Sequence, residues 1–84
     1  MNNSPAAGAG AADLEIAARI SNALIVKNIN VRAVSDATGI AYPTLRRSLS
    51  GGRSLTFLEL SKIASAINVH PSILLPESLT GVAA

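Results

Sequence analysis

The sequence predicts an all-α fold of five short helices, and three of its features point that way. Apolar residues make up 49% of the 84-residue chain but aromatic residues only 2%, so a core has to be built from Ala, Leu, Ile and Val. These apolar residues recur three and four positions apart in successive segments, which is helical spacing. Residues that begin or end helices separate the segments at short intervals. Helix packing suits this composition better than a sheet, which usually needs more β-branched and aromatic side chains.

The first predicted helix runs from Asp13 to about Lys27. Asp13 is a candidate N-cap, since its short side chain can accept a hydrogen bond from the first turn. The apolar face of this helix consists of Ile16, Ile20 and Leu24, joined by Ala17 and Ala23. The small and polar residues 1–12 and the end of the chain, residues 77–84, are predicted to be flexible tails. Residues 13–76 are therefore expected to form one compact domain.

The second predicted helix is short and starts at Val31. Asn30 is expected to cap it, because Asn is among the strongest N-cap residues. Val34 and Ala37 are expected to face the core. Gly39 ends the helix, since glycine tolerates the left-handed backbone conformation that a sharp turn needs.

The third predicted helix begins at about Tyr42. Pro43 fits its first turn, where a missing backbone N–H costs no hydrogen bond within the helix. Leu45 and Leu49 are four residues apart and give the helix a buried side. The glycine pair at positions 51 and 52 is expected to end it.

The fourth predicted helix has the clearest start signal in the chain. Thr56 and Glu59 have the spacing of a capping box, in which each side chain binds the backbone of the other residue. Phe57 is expected to lie in the core, and Asn68 is a plausible residue to follow the last turn. The apolar stripe of this helix consists of Leu60, Ile63, Ala64 and Ile67.

A fifth, short helix is predicted to begin at Pro71 and to end before Pro76. His70, the only histidine in the chain, precedes it. A single histidine in a chain without cysteine has no partners with which to hold zinc, so His70 is predicted to cap the helix and no metal site is expected.

The positive charge is concentrated in the middle of the sequence. The segment from Arg19 to Lys62 holds all seven Lys and Arg residues but only two of the five acidic ones, a net charge of +5. Such a basic stripe is typical of proteins that bind polyanions. It is equally typical of a solvated surface that keeps a protein soluble, and the charge pattern alone leaves both interpretations open.

Residues 31–51 have the features that a helix-turn-helix motif requires. Ser35 is small at the point where two helices must approach each other, Gly39 makes the turn, and Ile40 fills the space beneath it. Leu45 holds the second helix of the motif from below, so that its N-terminal residues are free to enter a DNA major groove about 12 Å wide.

With these features, residues 31–75 resemble the DNA-binding domain of the phage repressor and Cro (XRE-type) family. The matching stretch reads VRAVSDATGIAYPTLRRSLSGGRSLTFLELSKIASAINVHPSILL. Its second half, LELSKIASAINV followed by a short helix that ends in ILL, is similar to the fourth and fifth helices of that family. The resemblance implies a lambda repressor-like five-helix domain, in which helices 2 and 3 form the motif and helix 3 reads DNA.

The resemblance also implies a role for each candidate DNA-binding residue. Three of them match positions at which the family reads base edges, namely Tyr42, Pro43 and Arg47, and Thr44 is expected to share the direct readout. Two match or lie beside positions that contact the DNA backbone: Arg32 and Arg46. Two match positions that bind either a phosphate or a base edge: Ser50 and Arg53.

The sequence departs from the family pattern at three positions at the start of the recognition helix or within it. Ala41 replaces the Ser or Thr that commonly caps this helix, a loss of about 1 kcal/mol. Ser48 stands where an apolar residue usually packs, so Leu49 is expected to carry more of the burial. Pro43 has no side-chain donor for a base, which leaves direct readout mainly to Tyr42, Thr44 and Arg47.

The sequence thus predicts a sequence-specific regulator of transcription that binds double-stranded DNA, most simply a Cro-like repressor. Such domains usually bind near-palindromic sites as dimers, and the expected dimer surface comprises Ile73, Leu74 and Leu75. Two alternatives stay open: a protein-interaction module such as an antitoxin or adaptor, and a DNA-binding accessory factor for recombination or excision.

Other functions find little support. Ser48 and Ser50 have no nearby base to activate them, so no enzyme activity is expected. No apolar run approaches the roughly 18 residues that cross a bilayer. No cofactor or small-molecule ligand is implied, and a cytoplasmic location is expected.

Overall fold

The computed structural model describes residues 10–76 and confirms the all-α fold. Within that range it contains four α-helices and one 3₁₀ helix of four residues. In chain order these are α1 (Ala11–Lys27), α2 (Val31–Thr38), α3 (Tyr42–Leu49), α4 (Phe57–Ala66) and the 3₁₀ helix (Pro71–Leu74). No helix in this part of the chain is long and apolar enough to span a membrane.

The prediction of five full helices is wrong, because the last element is only a single 3₁₀ turn. It has four residues and starts at Pro71, and only Leu75 separates its end from Pro76. The residue before a proline is driven towards extended backbone, and Leu75 adopts φ −89° and ψ 147°. So short a segment suits i→i+3 hydrogen bonds better than an α-helical ladder.

The first helix starts earlier than predicted. Gly10 is its N-cap, and Asp13 lies in the first turn, where its carboxylate accepts a hydrogen bond from the Gly10 N–H at 3.4 Å. Ala11 and Ala12 are strong helix formers and extend the helix past the expected start. The tails predicted before and after the domain lie for the most part outside the described residues, so their flexibility stays a prediction.

Two predicted caps are confirmed. The Asn30 side chain accepts a hydrogen bond from the Ala33 N–H at 2.8 Å at the start of α2. Thr56 and Glu59 form the complete capping box of α4, with side chain to backbone distances of 3.0 and 2.9 Å. Asn68 follows the last turn of α4 in the left-handed conformation, φ 61°, as expected.

All the elements meet at one core. Helix α2 packs against α3 and α4, α1 packs against α3, and the 3₁₀ helix packs against α1 and α4. The buried side chains come from every element: Ile20, Leu24, Val34, Leu45, Leu60, Ile63, Ala64, Ile67 and Leu74. Because α3 buries only two of its eight residues, most of its surface faces outward.

Three residues lie elsewhere than the sequence pattern suggested. Ala37 is exposed, because α2 is a single short helix that buries only Val34. Phe57 is 74% exposed, since it is the first residue of α4 and the buried stripe begins one turn later at Leu60. Leu74 is completely buried, so it belongs to the core and is not part of a dimer surface.

Candidate nucleic-acid interface

The turn between α2 and α3 is held by side-chain hydrogen bonds as well as by glycine. Gly39 has φ 79°, the left-handed conformation predicted for it. The Ser35 hydroxyl donates to the Ile40 carbonyl at 2.6 Å, and the Thr38 hydroxyl accepts from the Ile40 N–H at 3.2 Å. Ser35 therefore does more than allow close approach of the helices, because its hydroxyl fixes the angle at which the chain enters α3.

Helix α3 has an outer face of polar and basic residues, and only two of its side chains are buried. Leu45 is fully buried and Ser48 is 1% exposed. The other six residues are half-buried or exposed, and the exposed ones are Pro43, Arg46 and Arg47. Pro43 occupies the first turn as predicted, and Ala41 is the N-cap without a side-chain hydrogen bond. This exposed surface is suited to contact with another molecule.

An open groove of about 910 Å³ runs beside α3, where the end of α1 meets the start of α2. Four of the predicted site residues line it: Arg32, Tyr42, Arg46 and Ser50. None of the described residues that line it is acidic. The groove therefore has a net positive charge and suits an anionic chain.

Two arginines lie close to the one tyrosine of the groove. The guanidinium carbon of Arg32 is 4.1 Å from the centre of the Tyr42 ring, and that of Arg46 is 6.0 Å from it. Both distances fall within the range of a cation–π interaction, which extends to about 6 Å. The structure thus brings one residue of α2 and two of α3 into one cluster.

Arg53 lies apart from this cluster and turns towards the protein. Its guanidinium donates to the buried Ser48 hydroxyl at 2.8 Å and to the Glu59 carboxylate at 3.2 Å. Burial raises the pKa of Glu59, but hydrogen bonds from the Thr56 backbone and Arg53, together with the charge of Arg53, hold it below its ordinary value. These intramolecular bonds occupy the guanidinium that was predicted to face DNA.

Ser48 is more deeply buried than Leu49, contrary to the prediction. Leu49 was predicted to take over the burial of this side of α3, but Leu49 is only half-buried and Ser48 occupies the core position itself. Its hydroxyl donates to the Thr44 carbonyl at 3.2 Å and accepts from Arg53. Both hydrogen-bonding roles of the hydroxyl are satisfied, which is why a polar residue is tolerated there.

Sequence reasoning missed three polar residues of the groove: Ser21, Asn28 and Asn30. Asn30 was predicted only as the N-cap of α2, not as a residue of the groove. Asn28 has φ 57° and ends α1, four residues before the predicted Arg32. Ser21 lies on α1, far from the motif in sequence, and only the fold brings it to the groove.

Residues 19–75 match the family model of the Cro/C1-type HTH DNA-binding domain. The restriction-modification controller protein C.AhdI from Aeromonas hydrophila has a similar fold, with a TM-score of 0.71 and 16% sequence identity over 75% of this chain and 96% of that one. Comparison with curated proteins found no significant match. Because the matched region covers well over half of the chain, the protein belongs to the family of Cro/C1-type helix-turn-helix DNA-binding domains.

Proposed function

We propose that this protein is a sequence-specific regulator of transcription of the phage Cro and repressor type. The observation that carries the proposal is the outer face of α3, where Arg46 and Arg47 are exposed above the buried Leu45. Inserted into a major groove, α3 would read the operator and block access of the polymerase. The expected cytoplasmic location follows from this proposal, because a regulator has to be in the same compartment as the operator DNA that it binds.

Six of the eight predicted site residues divide into two groups by position. Arg47 points away from the core on the outer side of α3, and a bidentate contact with guanine is the commonest specific arginine contact. The half-buried Thr44 and the exposed Pro43 belong to the same outer face. Arg32, Arg46 and Ser50 line the basic groove beside α3 and are assigned to the phosphates of one strand.

We further propose that two copies of the chain bind a near-palindromic operator. Ile73 is 55% exposed at the end of the 3₁₀ helix and is the best candidate for the contact between copies, since Leu74 is buried. Operator half-sites would then lie about one turn of DNA, or roughly 34 Å, apart. The proposed function requires no cofactor and no small-molecule ligand.

The test is binding of the purified protein to DNA from upstream of its own gene, in a salt series and against unrelated DNA of equal length. Tight, site-selective binding that weakens steeply with salt is expected. Arg47→Ala is expected to relax selectivity at one base pair, by about 1–3 kcal/mol. Arg46→Ala is expected to weaken binding to all sequences alike and to lower the salt slope by about 1.

Lys62→Ala is the matched control, because it removes one exposed positive charge from α4 instead of α3. It is expected to leave selectivity unchanged. Weak binding that is equal on every fragment and indifferent to Arg46 and Arg47 would refute the proposal and favour a protein-interaction module. Selective binding at an attachment site rather than a promoter would favour a recombination or excision factor.

A further inference from the structure

The most unusual local arrangement in the described part of the chain is the cluster of Arg32, Tyr42 and Arg46, hereafter the arginine–tyrosine stack. Arg32 belongs to the first turn of α2, whereas Tyr42 and Arg46 lie one turn apart on α3. Both guanidinium groups lie over the ring of Tyr42, at 4.1 and 6.0 Å from its centre. The ring thus joins the two helices of the motif on their groove side.

The stack places two positive charges beside one ring, at 4.1 and 6.0 Å from its centre, and neither has an ion-pair partner among the described residues. No acidic residue is among the described residues that line the groove. The partners of the carboxylates that do form ion pairs in residues 10–76 are Arg19 and Arg53, so neither arginine of the stack is neutralised in this way. Attraction to the electron-rich ring face offsets part of the repulsion, and an anion in the groove would remove the rest.

We propose that Tyr42 is a positioning residue, which holds Arg32 and Arg46 in place to bind phosphates of one DNA strand, and that it does not read a base. The proposal rests on the DNA-binding function proposed above and gives Tyr42 a different role from the base contact that its family position implies. The ring is half-buried and Arg32 covers it at stacking distance. Because Arg32 covers the ring, the Tyr42 side chain has little freedom to reach a base in the major groove.

The stack is tested first in the free protein, without DNA. The side-chain protons of Arg32 should show an upfield ring-current shift in the NMR spectrum. Tyr42→Phe retains the ring and should preserve the shift, whereas Tyr42→Leu should abolish it. Helical circular dichroism of both variants shows that they are folded. If the Arg32 protons have random-coil shifts in the wild-type protein, the stack does not exist in solution and the proposal is overturned.

The second test measures affinity for operator DNA and for unrelated DNA of equal length. Tyr42→Phe should bind within twofold of the wild type. Tyr42→Leu should lose about fivefold on both DNAs alike, since disordered arginines bind phosphates less well whatever the sequence. In the Tyr42→Leu background, Arg32→Ala should cost a clearly smaller factor than it costs in the wild type, because the two residues act as a unit.

The outcomes separate this proposal from the proposed function. If Tyr42→Leu changes the preferred base at one operator position and its loss multiplies independently with that of Arg32→Ala, Tyr42 is a base reader and the positioning role is refuted, although DNA binding stands. If the wild-type protein shows the ring-current shift but binds no duplex DNA, the proposed function has failed, and the phosphate role of the stack is refuted with it.

Discussion

At the scale of single residues, Arg53 shows how the tertiary contacts of a side chain define its role. Its guanidinium connects the buried Ser48 of α3 with Glu59 in the first turn of α4. Glu59 in turn accepts a hydrogen bond from the Thr56 N–H at 2.9 Å, so the connection reaches the N-cap of α4. These bonds link the end of α3 to α4 and hold the Arg53 guanidinium against the protein.

We therefore predict that Arg53→Ala lowers the free energy of unfolding by about 1–2 kcal/mol, because it removes a charge-assisted hydrogen bond to a buried group. Urea denaturation followed by circular dichroism measures the change. Arg47→Ala removes the same charge from an exposed position and should stay within about 0.5 kcal/mol of the wild type. Equal effects of the two substitutions would show that the bonds of Arg53 contribute nothing to stability.

The lowered pKa of Glu59 gives this network a pH dependence. A carboxyl whose pKa is lower in the folded state stabilises the protein while it is ionised, and this stabilisation is lost as it becomes protonated. The contribution should be complete above the ordinary value of about 4.5 and should disappear as the pH falls through the lowered pKa. Subtracting the pH profile of Glu59→Gln from that of the wild type isolates it, and identical profiles would contradict the assignment.

At the scale of helices, the caps of the motif are unequal. Asn30 caps α2 through its side chain, whereas α3 begins after Ala41 without any side-chain hydrogen bond. The first turn of α3 instead relies on Pro43, whose φ is already helical. Its orientation relies on the hydrogen bonds of the preceding turn, in which Ser35 binds the carbonyl of Ile40. The start of α3 is therefore held by its neighbours more than by its own cap.

This inequality predicts opposite effects of two matched substitutions. Ala41→Ser supplies the missing cap at an exposed position and should raise the free energy of unfolding by about 1 kcal/mol. Asn30→Ala removes an existing cap and should lower it by about the same amount. Both are measured by thermal and urea unfolding. A loss of stability in Ala41→Ser would mean that the backbone before α3 cannot accept a capping side chain.

At the scale of the whole molecule, the 3₁₀ helix connects the last residues of the domain to the core. His70 caps it as predicted, with Nδ1 accepting from the Ser72 N–H at 3.1 Å. Leu74 is fully buried, whereas its neighbour Ile73 is 55% exposed. Two adjacent residues thus face opposite environments, one in the core and the other at the surface.

Substitutions of the adjacent residues Ile73 and Leu74 should accordingly have different effects. Leu74→Ala should cost about 2–5 kcal/mol of stability, as truncation of a core side chain does. Ile73→Asp should leave the monomer folded but weaken the proposed dimer, which sedimentation equilibrium measures directly. An unchanged oligomeric state in Ile73→Asp would place the contact between copies on another surface.

Much of the local structure is encoded in short stretches of sequence. The caps Asn30 and Thr56, the turn at Gly39 and the start of α3 at Tyr42 each depend on a few neighbouring residues, and all four were predicted. The resemblance to the Cro and repressor family also rests on such stretches, and the family match confirms it. These features are determined locally, by backbone conformation and by hydrogen bonds over three or four positions.

The environment of individual side chains was decided only by the tertiary structure. Periodicity could not reveal that Phe57 lies beyond the reach of the core or that Leu74 lies inside it, because both depend on which element packs nearby. It also could not show that Arg53 binds Ser48 and Glu59 whereas Arg32 lies over a tyrosine ten residues away. The sequence alone determined the four α-helices and the family, and the packing of those helices determined which arginines are exposed and which bind other side chains.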